Sequence, residues 1–152
     1  MPKEDIKDLT KFLSPFPAEV QQTALWLRSF VWDMFPESNE LIYDNYNALA
    51  FGFSLSDKLA DTFCSVAVYA KHVNFGFNRG SEIADPKKLL TGQGSQYRYL
   101  PVPDTKTFPV ADITKLLNEA YTNALSRVKP GKVIVKGQTI TKSISPKKRR
   151  PV

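Results

Sequence analysis

Histidine and cysteine are almost absent from this chain. One histidine, His72, and one cysteine, Cys64, stand in 152 residues. A lone cysteine excludes an intrachain disulfide, which suits a reducing compartment. A zinc site of Cys and His needs three or four such ligands and cannot be assembled. A Ser–His–Asp triad would have to be built on His72, and nothing near it in sequence nominates a nucleophile or an orienting acid. The expectation is therefore a protein that is not an enzyme, although carboxylate chemistry stays open. His72 reads as a turn or strand-end residue bonded to backbone, and Cys64 as a small buried hydrophobe. No apolar run approaches the roughly 20 residues that cross a bilayer. The first stretch, MPKEDIKDLTKFL, is charged throughout and lacks the apolar segment of a secretion signal. A cytoplasmic protein without membrane association is expected.

Acidic residues are missing from one region only. Residues 129–152 carry eight basic side chains and no acid, a net charge of +8. The rest of the chain holds the other 13 of the 21 basic groups and all 15 acids, a net of −2. The overall +6 thus belongs to a basic C-terminal tail, 129–152, following a nearly neutral body, 1–128. That body is rich in apolar residues, with ten Phe and six Tyr in the chain, a composition that builds one domain with a real core.

The periodicity predicts a short amphipathic helix over 3–13, then a longer one from Pro17 to Phe35. In the second, Val20, Ala24, Leu27, Val31 and Phe35 recur at three- and four-residue steps. Strand-like segments follow at 40–44, 47–53, 62–70 and 73–79, the last two separated by Lys71–His72 as in a hairpin. Asp85–Pro86 predicts a helical turn over DPKKLL, with Asp85 as its N-cap. QYRYLPV (97–103) reads as a last strand. A helix is expected over 110–128, ended by Pro130–Gly131. The order predicts an α+β domain: an antiparallel sheet with N-terminal and C-terminal helices packed on one face. A short hairpin is expected at KVIVKGQTITK in the tail.

Three stretches, taken in order and spacing, resemble the YdhG-like domain of unknown function, found mostly in small bacterial proteins. They are FPESNELIYDNYNALAFGF, KHVNFGFNRGSEIADP and KKLLTGQGSQYRYLPV, and the match covers roughly 17–125. Phe75 stands where the family usually has leucine, Ser95 where it often has lysine, and DNYNAL replaces the more usual Gly-x-Pro-x-Phe. The tail lies outside the resemblance. The resemblance implies a compact α+β fold without an established activity. Some members have been likened to frataxin-type iron chaperones, which makes iron the cofactor to consider.

Four sets of residues are candidates for function. Iron favours carboxylate clusters, and Asp33, Glu37, Glu40 and Asp44 are the densest one, either a weak metal ridge or a solvated rim. Glu40, Tyr43, Tyr46, Asn74 and Arg98 are interleaved with apolar strand positions. With Trp32 they would line a ligand pocket if the second face of the sheet is concave. Alternatively, Glu40 and Arg98 form a structural ion pair. Gly92 and Gly94 in LLTGQGSQYRYL follow a helical turn and precede a strand, the wrong polarity for a phosphate-binding loop and without its Gly-Lys-Ser/Thr ending. They read as turn glycines, Gly92 at positive φ, or as an anion nest assisted by Arg98. Finally Lys147, Lys148, Arg149 and Arg150 form a basic patch that attracts phosphates, or else a solubilising tail. The expected function is a non-enzymatic protein that binds a small ligand or metal, or has an unidentified protein partner. The alternative is a nucleic-acid accessory protein acting through the tail.

Overall fold

A computed structural model describes residues 7–129 and 136–148. Three helices, α1 (Lys7–Leu13), α2 (Ala18–Met34) and α3 (Val110–Arg127), accompany six strands. The strands are β1 (Asn39–Asp44), β2 (Leu49–Ser54), β3 (Thr62–Val68), β4 (Val73–Phe77), β5 (Arg98–Val102) and β6 (Thr139–Ile144). The class is α+β. No helix among the described residues is long and apolar enough to cross a membrane.

Helix α2 begins where Pro17 presets the entering backbone and ends one residue before Phe35–Pro36, because a residue preceding proline is pushed out of the helical region. It buries Val20, Ala24, Leu27 and Val31, the periodic face, together with Arg28 and Trp32. Helix α3 buries Ile113, Leu117, Ala120 and Ala124. Both faces meet the same side of the sheet. In register across it lie Leu49, Val68, Val73 and Val102, and beside them Phe51, Val66, Phe75 and Leu100. Leu9 and Leu13 of α1 join that core.

Strands β1 to β5 form an antiparallel meander in chain order. The sheet is nevertheless mixed, because β6 adds to the outer edge of β1 in parallel. The crossover explains the direction. β5 runs the same way as β1, α3 returns along the helical layer, and the next strand must again run with β1. The segment expected as a separate tail therefore supplies an edge strand. Of the hairpin expected at 132–142, residues 132–135 lie outside the described residues, and the second half lies in β6, paired with β1.

DPKKLL is a turn rather than a helical one. The Lys88 N–H donates to the Asp85 carbonyl at 3.0 Å, and Lys88 sits at φ 53°, which a helix cannot continue. The Asp85 carboxylate still satisfies backbone donors, those of Leu89 and Leu90 at 3.0 and 2.9 Å. Gly92 has the expected positive φ, 135°, but within a loop bridged to Tyr99, not behind a helix.

Candidate binding face

Alternation along the strands sorts the aromatics. All ten Phe belong to the core or pack against it on the helical side. Four of the six Tyr occupy the opposite parity: Tyr43 on β1, Tyr69 just after β3, and Tyr97 and Tyr99 at β5. One row across this outer face reads Tyr43, Ala50, Ala67, Asn74, Pro101. The next reads Leu41, Gly52, Ser65, Gly76, Tyr99. The floor is thus made of small side chains, and the tyrosines rise from its margins.

Gly76 determines the shape at the β5 end. A Cβ there would collide with the Tyr97 hydroxyl and meet Cε1 at 2.6 Å. The missing side chain lets the Tyr97 ring lie across β4. Tyr97 is 38% exposed as a residue, yet the phenol end is the covered part. Burial first, then the neighbouring Tyr69, push its pKa up to about 12. Tyr97 and Tyr99 stack with centroids 5.9 Å apart, and Tyr69 stacks on His72 at 4.6 Å with planes 9° apart. At the Asn39–Leu41 end of β1 the face closes, while Tyr43 stays partly exposed. Asn39 donates to the Ser56 carbonyl at 3.1 Å and Lys142 to the Asp57 carbonyl at 2.9 Å, tying the loop after β2 onto that edge.

A pH prediction follows from Tyr97. Raising a phenol's pKa on folding means that the unfolded chain ionises first, so this group's contribution to stability is lost as pH rises from about 10 toward 12. Gly76→Ala should lift the ring and shift the most alkaline step of a tyrosine absorbance titration back toward 10. An unchanged last step would show that the ring does not rest on Gly76.

The candidate residues read from sequence are divided by the fold. Tyr43 and Asn74 share a row of the outer face. Trp32 and Glu40 lie inside, on the helical side. The Glu40 carboxylate is fully buried and takes a bidentate fork from Arg28 at 2.8 and 3.1 Å, with Thr139 Oγ1 donating at 3.0 Å. Burial raises the Glu40 pKa, while Arg28 and Thr139 pull it back down. Arg28 also lies 4.7 Å from the centroid of Trp32, whose Nε1 donates to the Ser38 carbonyl at 2.8 Å. The ion pair expected between Glu40 and Arg98 is therefore replaced by one with Arg28, four residues from Trp32 on the same helical face.

Arg98 faces the helical side in register with Phe77, and its Nη1 donates to the carbonyls of Gly94 and Tyr97, both at 2.7 Å. Nη1 thus ties the Gly94–Tyr97 loop to the base of β5. Gly92 is needed because its backbone is left-handed and a Cβ would meet the Tyr97 carbonyl at 2.9 Å, whereas Gly94 faces open space. Tyr46 stands exposed in the turn between β1 and β2.

The four acids do not gather. Glu40 is held by Arg28, Asp44 lies 3.3 Å from Lys148, and Glu37 is exposed at 3.9 Å from Lys136. Asp33 is exposed on α2. Among the described residues, no group of three His, Cys, Asp or Glu side chains is placed to hold a metal ion. Cys64 is fully buried, and burial pushes its thiol well up, which keeps it unreactive. Lys147 and Lys148 are described and Arg149 and Arg150 lie outside the described residues, so the basic patch is seen only in part.

A cleft of about 260 Å³ also opens between the Ala84–Leu89 turn and α3. Several of its polar groups are already engaged: Lys87 with Asp112 at 3.1 Å, and Glu119 with the Ala84 N–H at 3.0 Å. The outer face has the stronger chemistry, since stacked rings over a floor of small residues offer π-surfaces to an incoming ring. Sequence reasoning missed Tyr69, Tyr97, Tyr99 and Gly76 there. The available signal was the alternation in QYRYLPV opposite the glycine of VNFGF. Comparison with protein families, with curated proteins and with solved structures finds no match to this chain.

Proposed function

We propose that this protein is a non-enzymatic binding protein whose outer sheet face receives a planar, nucleobase-like ring. The observation that carries the reading is the segregation of Tyr43, Tyr69, Tyr97 and Tyr99 onto one face while every Phe packs on the other. Tyrosine is the aromatic for a surface that is apolar in body and wet at its tip. Asn74, in the middle of the row, offers one acceptor and two donors to the edge of a ring. The YdhG-like resemblance belongs to the same proposal, because its second and third stretches are the segments that carry His72, Asn74, Gly76 and both β5 tyrosines. Iron is the weaker alternative, as the candidate acids are engaged or dispersed.

The test is calorimetric titration with adenosine monophosphate. Tyr99→Ala should weaken binding by about 1–3 kcal/mol, roughly 5- to 150-fold, the worth of one base–aromatic stack. Equal affinity in wild type and Tyr99→Ala, with unchanged stability, would remove the ring from this face.

A further inference from the structure

We infer that the ring belongs to a single-stranded nucleic acid, and that the strand crosses the outer face from β5 toward β6. The inference rests on the planar-ring reading and adds the polymer. Charge complementarity supports it. Among the positions that the register pairs, no outward-facing residue of the six strands carries an acid. At the hairpin between β3 and β4, Lys71 is exposed next to His72 and Tyr69. Just past β6, Lys147 is exposed at the edge of the sheet.

Rings and cations are therefore distributed as a strand needs them. Aromatic platforms lie over β3 to β5, and cations mark the β3–β4 hairpin and the β6 edge. Successive bases stack on aromatic side chains with little sequence preference, while lysines follow the phosphates. A duplex hides the ring faces that such a platform reads, so the occupant is single-stranded. Lys147 serves here as the outer end of a path that begins on tyrosines, whereas lysines alone would give only salt-dependent attraction.

The experiment is fluorescence anisotropy of the full chain with a labelled ten-nucleotide oligouridine, alongside calorimetry with uridine monophosphate and a competing duplex. The expected result is a strand affinity at least about 100-fold above that of the mononucleotide, with a log–log salt slope near −2, as for about three phosphates. Tyr69→Ala with Tyr99→Ala should cost at least about 25-fold at fixed salt, and Lys71→Gln with Lys147→Gln should flatten the slope. Thermal denaturation of each variant confirms that it is folded. If the strand binds no tighter than the mononucleotide, the polymer is wrong and the ring reading stands. If neither binds, both fall. Strand binding that survives loss of both tyrosines, or is matched by the duplex, places the interaction on the basic segment alone and overturns the inference. Dimers that dissociate on tyrosine replacement would make the face an interface between copies and overturn it as well.

Discussion

Glu40→Ala is expected to lower the free energy of unfolding by about 3–5 kcal/mol, the cost of leaving a buried charge without its partner. Arg28 is only 4% exposed and reaches Glu40 from α2 across the helix–sheet boundary. Without the carboxylate, its guanidinium stays in the interior with Trp32 as its other recorded neighbour, and Thr139 loses its acceptor. Mutual attraction does not make such a pair a large net source of stability, because desolvating both ions offsets most of it. Replacing both members with apolar side chains, Arg28→Met with Glu40→Leu, should therefore recover most of the loss. Urea denaturation of the two single variants and the double variant measures this directly. A Glu40→Ala cost under about 1 kcal/mol would mean that water reaches the pair and that α2 is not seated on β1 as described.

A chain ending at Lys129 is expected to lose about 3 kcal/mol or more, on the scale of several net hydrogen bonds of about 0.5–1.5 kcal/mol each. β6 is held mainly by polar contacts. The Glu40 N–H donates to the Gln138 carbonyl at 2.8 Å, the Gln138 N–H to Asn39 Oδ1 at 3.1 Å, and the Ser145 N–H to the Asp44 carbonyl at 2.8 Å. Without β6, the second edge of the sheet becomes β1, including the buried Glu40. A chain ending at Pro146 keeps the strand and loses Lys148 opposite Asp44, so it should fall between the two. Equal melting temperatures for the Lys129-terminated and full-length chains would show that β6 contributes no stability. The contrast also matters for nucleic acid: ending the chain at Lys129 removes a strand as well as seven basic side chains, so lysine substitutions are the cleaner probe.

Local chemistry made much of the fold legible. Pro17 and the residue before Pro36 bracket α2, the Val20-to-Val31 spacing names its buried face, and the alternation of Val73, Phe75 and Phe77 gives β4 its inward side. The sixth strand was legible in part, as the second half of the hairpin expected at 132–142, but its place beside β1 was not, because its partner Asn39–Asp44 lies about a hundred residues away. A parallel pairing is set by the α3 crossover and not by any local turn. The turn at Asp85 misled for a related reason: Asp-Pro opens helices and turns alike, and the positive φ of Lys88 leaves no mark in sequence. The site was half legible. Tyr43 and Asn74 were identifiable as polar groups on strands, but Glu40 and Arg98 share that description and face the other way. Parity relative to the helices separates them, and parity is fixed by register and by Arg28, which no strand pattern announces.

The central claim is that the outer sheet face is the binding surface. Its most direct test is amide chemical-shift mapping of the isotope-labelled full chain titrated with adenosine monophosphate. Shifts should concentrate at Tyr69–Gly76 and Tyr97–Leu100, with lesser changes at Tyr43 and Ala50. Shifts centred on the Ala84–Leu89 turn and α3, with the tyrosine strands silent, would contradict the account and place the ligand in the cleft on the helical side.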